Sequence, residues 1–251
     1  MALAGPWLAP YDPESMHFAS RFAPPSWEFL LGTDSFGRDL LSRVLVGARS
    51  TILLALLATI IGSTVGALIG LISAYFGGRI DEIIMRIVDA VMAIPGLLFA
   101  LLIISALGSS AINAVIAIGI TFAPGMARVS RSITLTVREQ DYVAAAVARG
   151  EGAAWIILRE IAPNILAPVI VESTIRVAFA IMLLATLSFL GMGAQPPSPE
   201  WGLMISDARA HLYRSPWPVI APGVAIATVA VAFNLLGDGL RDVLNPRVQG
   251  G

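Results

Sequence analysis

Between Arg49 and Arg79 the chain runs without a charged residue, through TILLALLATIIGSTVGALIGLISAYFGG, and a second uncharged window separates Asp89 from Arg128. Segments of this kind decide the solvent. A bilayer core takes roughly 20 consecutive apolar residues as one helix. Composition leaves no aqueous alternative: 57% of the 251 residues are hydrophobic and 13% charged, with mean hydropathy +0.81, where a soluble domain carries about 25% charged residues. Surplus apolar surface on that scale cannot be buried by folding in water. The sequence therefore predicts an all-α, polytopic membrane helix bundle.

The window after Asp89 is too long for one straight span, because at 1.5 Å per residue it would exceed about 50 Å. It divides naturally at Leu107-Gly108-Ser109-Ser110. Two more spans follow, Asn164–Leu190, which holds Glu172 and Arg176, and Pro218–Gly237. Five spans result, near 50–76, 84–107, 111–133, 164–190 and 218–237. In the first, Gly62, Ser63, Gly66 and Gly70 recur on one side, where small residues let helix backbones approach closely in lipid. In the second, Asp89 and Pro95 suggest a polar anchor and a local kink.

Five spans place the ends on opposite sides. The segment 1–49, the turn 108–110 and the loop 191–217 share one side with six arginines (Arg21, Arg38, Arg43, Arg49, Arg209, Arg214). The other side holds 77–83, the stretch 128–163 and the tail 238–251, and counts nine (Arg79, Arg86, Arg128, Arg131, Arg138, Arg149, Arg159, Arg241, Arg247). Positive charge marks the cytoplasm, so the second side is expected inside. On the outer side, Asp34 or Ser35 in GTDSFGRDLL reads as an N-cap. GAQPPSPEWG reads as an extended lead-in to a short helix, Trp201–Leu212, and Trp201, Tyr213 and Trp217 as interfacial anchors.

Several function classes are excluded. A net charge of −1 does not suit a broadly basic nucleic-acid binder. There is no cysteine, and the two histidines, His17 and His211, stand far apart. Neither H-E-x-x-H, G-x-S-x-G nor G-x-x-x-x-G-K-[ST] occurs. No catalytic residue, metal ligand or cofactor is expected of this chain.

The most informative stretch is RVSRSITLTVREQDYVAAAVARGEGAAWIILREIAPN, residues 128–164. Tyr142–Arg149 favours helix, Gly150 and Gly152 break it, and a second short helix is expected over Ala154–Ile161, with Pro163 opening the next span. Two short helices meeting at a glycine bend would present a compact knob to a partner; an ordinary interfacial loop is the plainer reading. Within the fourth span, Glu172 and Arg176 lie four apart and share a face. A structural ion pair is favoured there over a substrate contact, although intramembrane charges are functional candidates by default.

The spacing Ala145-Ala146, Gly150, Ile161-Ala162-Pro163 resembles the EAA loop of the membrane subunits of bacterial ABC importers. LGTDSFGRDLLSRVLVGARST, YFGGRIDEIIMRIVDAVMAIPGLLF, SFLGMGAQPPSPEWGLMI and GDGLRDVLNPR are similar to the second permease subunit of dipeptide, oligopeptide and nickel importers, from about Leu8 to Arg247. Ala144 departs from that pattern where a glutamate is usual, Glu160 where histidine is frequent, and Ala162 where leucine is usual.

The resemblance implies a type I importer permease without catalytic residues. It implies a homologous second permease, two cytoplasmic ATPase subunits that hold the ATP and magnesium, and an extracytoplasmic binding protein, all at a bacterial inner membrane. Docking of the ATPase falls on Tyr142, Ala144, Ala145, Ala146, Gly150, Ile161 and Pro163. The implied cargo is a di- or oligopeptide, with a nickel chelate or glutathione as same-fold alternatives. An ion-driven secondary transporter is the rival of another class, but no internal repeat is visible. Because such permeases carry one more span, MALAGPWLAP looks like the last turns of a helix that begins upstream.

Overall fold

The computed structural model describes residues 4–244; residues 1–3 and 245–251, the latter including Arg247, lie outside it. Among the described residues the regular structure is helical. Ten α-helices follow in order: α1 (Gly5–Leu8), α2 (Leu40–Phe76), α3 (Gly78–Met92), α4 (Gly96–Leu107), α5 (Ala111–Arg138), α6 (Asp141–Ala148), α7 (Ala153–Trp155), α8 (Ala162–Phe189), α9 (Trp201–Ala208) and α10 (Trp217–Leu244). Four stretches are long and apolar enough to cross a bilayer: Leu40–Phe76, Ala111–Arg138, Ala153–Phe189 and Trp217–Leu244. Counting α3 and α4 as one broken span makes five.

Three expectations need correction. The first long helix begins at Leu40, ahead of the span expected from residue 50, and carries Arg43 inside the fold, where its Nη1 donates to the Pro13 carbonyl (3.2 Å) and its Nε lies 3.8 Å from Asp34. A paired charge need not end a helix. The cap of α2 is accordingly Asp39, whose Oδ2 accepts from the Ser42 N–H (2.8 Å) and hydroxyl (2.7 Å), rather than Asp34 or Ser35. The stretch 84–107 is no straight span, since α3 and α4 meet at 91°. Pro95 disfavours helical backbone at Ile94 and cannot donate a helical hydrogen bond, so the chain turns there instead of merely kinking.

The chain forms two compact units, and their boundaries fall inside α2, α4, α5, α8 and α10. The first unit comprises the described residues up to Leu57, with Leu101–Ala117 and Val177–Ala232. Here Asp34 organises the irregular N-terminal segment. Its Oδ1 accepts from the Phe36 and Arg38 N–H groups (2.8 and 3.0 Å), and its Oδ2 from Arg38 Nε (2.6 Å). Glu200 caps α9 by accepting from the Gly202 and Leu203 N–H groups at 3.0 and 2.9 Å. Burial still pushes its carboxyl above the ordinary range. Trp201 is fully buried, with Nε1 donating to the Val44 carbonyl at 3.0 Å. It is a core residue and not an interfacial anchor. Tyr213 and Trp217 are exposed.

The second unit comprises Ala58–Ala100, Ile118–Arg176 and the residues from Phe233. Its core is the crossing of α2 and α5. Gly62, Gly66 and Gly70, one turn apart, lie against the backbones of Gly119, Ala123 and Ala127. A Cβ on Gly66 would collide with the Ala123 carbonyl and lie 2.7 Å from Met126 Cβ. The Ser130 hydroxyl (2.8 Å) and Arg138 Nη1 (2.9 Å) donate to the α2 carbonyls of Ala67 and Ala74.

This contact is tested by overfilling it. Gly66→Val should destabilise the chain by about 1–3 kcal/mol or more, the ordinary cost of overpacking. Gly223→Ala, where an added Cβ meets nothing within 4 Å, should be neutral or gain up to about 1 kcal/mol. Thermal unfolding of the purified protein in detergent separates the two, and equal transitions would remove the glycine face as the basis of the packing.

Candidate functional site

The stretch 141–163 folds as a small element within the second unit. Its apolar floor consists of Val143, Ala146, Ile156 and Ile161, buried against Leu71 and Ile165, with Tyr75, Ile133 and Val137 alongside. The periodicity of α6 explains the division: Val143 and Ala146, three apart, face inward, while Ala144 and Ala145 are exposed. Ala146 and Ile161 therefore belong to the support and not to an outward docking face. Tyr142, Ala144, Ala145, Gly150 and Pro163 remain on the surface, beside exposed Val147, Trp155 and Leu158. The sequence reading missed these last three, whose apolar type beside a charged loop is the only signal they carry.

Gly150 closes α6 with φ +78°. Its N–H donates to the Val147 carbonyl (2.9 Å) and the Glu151 N–H to the Ala146 carbonyl (3.2 Å), the two bonds of a Schellman turn. A Cβ there would meet nothing within 4 Å. Glycine is required for the backbone angle and not for space. Arg149 stands 3.6 Å from Glu151 and 3.7 Å from Glu160, and its guanidinium lies 5.8 Å from the Trp155 ring centroid. Partial burial, reinforced by Glu160, raises the Tyr142 phenol above its usual range.

The second short helix is not separate. From Ala153 the chain runs through α7 and a π-helical stretch, Ile156–Ile161, directly into α8. Pro163 lies inside this continuous helix and does not open a new one. It offers no N–H and crowds the carbonyl four residues back; the wider π spacing just before it, with the Ala162 N–H donating to the Ile157 carbonyl, accommodates that clash.

Charges gather around α3, α5 and α8. Arg131 clasps Asp81 on two sides (Nε to Oδ1 2.7 Å, Nη2 to Oδ2 2.5 Å), and the Ser73 hydroxyl donates to the same carboxylate. Arg128 holds Asp89 at 2.5 Å, a half-exposed pair that supplies the partner of the polar anchor expected at Asp89. Arg176 Nη2 donates to Glu172 at 2.9 Å, with side chains 17% and 32% exposed. Among the described residues no group of three or more histidine or acidic side chains is placed to hold a metal.

The described residues form a helical chain with several helices long and apolar enough to cross a bilayer and a small surface element carried on one of them. A chain of the MetNI methionine ABC transporter, in an inward-facing crystal form, shares the fold: TM-score 0.66 at 16% identity, over 81% of this chain and 97% of that one. Residues 66–250 match the family described as binding-protein-dependent transport system inner membrane component. The chain belongs to that family. It is 42% identical to the di/tripeptide transport system permease of Pseudomonas aeruginosa, over 99% of this chain and 84% of the relative. It is 43% identical to a probable D,D-dipeptide permease of Escherichia coli, over 100% and 84%. It is 41% identical to a glutathione transport permease of Escherichia coli, over 100% and 83%. Membership of a transport-permease family sets aside the ion-driven alternative.

The Glu172–Arg176 pair is open to direct test. Glu172→Gln leaves a cation without its counter-charge, and at this partial exposure the loss should be about 1–3 kcal/mol. Adding Arg176→Met should recover part of it. Denaturation midpoints of wild type and both variants check this; a single variant as stable as wild type would show that the pair adds nothing to the fold.

Proposed function

We propose that this chain is the permease subunit of an ATP-driven importer of di- or oligopeptides in a bacterial inner membrane. It works with a homologous second permease, two cytoplasmic ATPases that carry the nucleotide and its magnesium, and an extracytoplasmic binding protein. The observation that supports the cargo is the agreement of relatives named for dipeptides, at 39–43% identity over 99–100% of this chain. Glutathione is the second reading, favoured by the 41% identical permease named for it; being itself a peptide, it would demand little change of the path. This chain forms half of that path and performs no covalent step.

Docking of the ATPase falls to the outward residues of 141–163. Tyr142, Ala144, Ala145, Val147, Trp155 and Leu158 form an apolar surface with a charged edge at Arg149, Glu151 and Glu160. Small side chains at 144 and 145 let α6 lie deep in a partner's groove. The α6 helix sits on its own core through Val143 and Ala146, so force applied to it reaches α2 and α8.

Ala145→Phe should overfill the groove. At about 1–3 kcal/mol for overpacking and 1.4 kcal/mol per tenfold change, ATPase association should weaken by about one to two orders of magnitude, with the permease still folded. Ala146→Phe, aimed into the core, should instead lower the unfolding temperature. Gly150→Val should strain the turn and uncouple hydrolysis from uptake. Co-purification of the ATPases and peptide uptake in proteoliposomes provide the readout. Full ATPase retention and uptake with Ala145→Phe and Gly150→Val would place docking elsewhere.

A further inference from the structure

We propose that Arg176 is a carboxylate-recognition point inside the membrane-spanning part of the chain, and that the C-terminal carboxylate of the passing peptide replaces Glu172 as its partner. The identity of the ligand rests on the peptide reading above; the site itself rests on the geometry of Arg176.

Arg176 lies fourteen residues from Ala162 and thirteen from Phe189, the ends of α8, hence about 20 Å of helix from either. A charge at such depth is costly and marks a functional path or a pair. The pair with Glu172 accounts for only part of what is seen. A guanidinium presents Nε and Nη2 as one edge that grips both oxygens of a carboxylate side-on. Glu172 takes Nη2 alone, through Oε1 at 2.9 Å, and Nε is buried with no hydrogen-bond partner among the described residues. A buried orphan donor is a standing cost, and the ion-pair reading gives no reason for it.

The surroundings supply one. The guanidinium lies directly on the bare backbone of Gly125, where a Cβ would stand 3.1 Å from Nη1 and 3.2 Å from Nη2. It borders a cavity of about 200 Å³ lined also by Ile94, Gly96, Phe99, Thr121 and Gly125. This cavity meets the 91° break between α3 and α4. Irregular backbone at membrane depth is tolerated where it lines a cavity. Gly96 opens the twelve-residue α4, whose first N–H groups have no intrahelical acceptor and carry partial positive charge. Arg176 and a helix start thus border one small space, and both suit an anion. A displaced Glu172 is not stranded, because it lines a second cavity, of about 450 Å³, together with Arg241.

The chain has no cysteine, so one thiol can report on the cavity. The importer complex carrying Ile94→Cys in this chain is treated with a maleimide, and modification of this chain is followed by mass spectrometry. Dialanine should slow labelling, its C-terminal amide should not, and acetate at high concentration should act as dialanine does. Arg176→Gln should weaken protection by at least about tenfold, the worth of a charge-assisted hydrogen bond; Glu172→Gln, which removes the competing carboxylate, should strengthen it. If Arg176→Gln disturbs folding, Arg176→Gln with Glu172→Gln removes both charges together and should still abolish protection. Equal protection by dialanine and its amide, or protection that survives loss of Arg176, overturns the proposal. Acetate protection without uptake of dialanine by the full importer would keep the carboxylate site and refute the peptide reading. Uptake of dialanine without protection by dialanine or acetate would refute the site and keep the peptide reading.

Discussion

The approach of α5 to the glycine face of α2 carries the second unit. Lipid tails are as apolar as leucine, so no hydrophobic force draws two spanning helices together; van der Waals contact and interhelical hydrogen bonds must do so. Gly62, Gly66 and Gly70 bring backbone to backbone, and that distance determines what else can form. Only then does the Ser130 hydroxyl reach the Ala67 carbonyl and Arg138 the Ala74 carbonyl. Arg131, on the same face of α5, meets Asp81 and, through it, Ser73. Leu71 and Tyr75 of α2 then supply the floor on which Val143 and Ala146 rest.

The first unit solves a different problem, the burial of charge. Asp34, Asp39, Arg38, Arg43 and Glu200 are all buried, and isolated buried charges cost several kcal/mol. Each has a partner. Arg38 and Arg43 share Asp34, Arg43 adds the Pro13 carbonyl, Asp39 caps α2, and Glu200 caps α9. The start of α2 and two arginines therefore hold an otherwise irregular N-terminal segment. Trp201 completes this arrangement by reaching the Val44 carbonyl of α2 from the first residue of α9.

What was legible in the sequence follows from what acts locally. Uncharged windows located the long apolar helices, Gly108 and Gly150 fall at the breaks expected there, each with positive φ, and the spacing of Gly62, Gly66 and Gly70 identified the packing face. What escaped depends on partners distant in the chain. Arg49 bounded the first uncharged window, and nothing in the neighbourhood of Arg43 announces its distant partner, the Pro13 carbonyl, within a helix that already begins at Leu40. Trp201 looked like an interfacial anchor because aromatic type alone does not reveal a buried acceptor on α2. Pro95 was visible as a kink, but a 91° turn also needs α3 to be held aside, which Arg131 and Arg128 accomplish from α5. Ala144, Ala145 and Ala146 are identical in type, and only the floor beneath α6 distinguishes the inward one.

The continuity of α7, the π-helical stretch and α8 bears on how a partner at the surface could influence the interior. Trp155 and Arg176 lie on one helix, twenty-one residues apart, or about 30 Å. Between them the ladder is altered three times, by the π spacing of Ile156–Ile161, by Pro163 and by Pro168. Helices bend where such interruptions occur. A sideways displacement of Trp155 and Leu158 would therefore be absorbed as bending before it reached Glu172. Glu172 and Arg176 share one face of that helix, and Arg176 lies on the bare Gly125 of α5 beside the cavity at the α3–α4 break. α8 thus joins the surface element and the intramembrane pair on one helix, whose interruptions are the places where it bends.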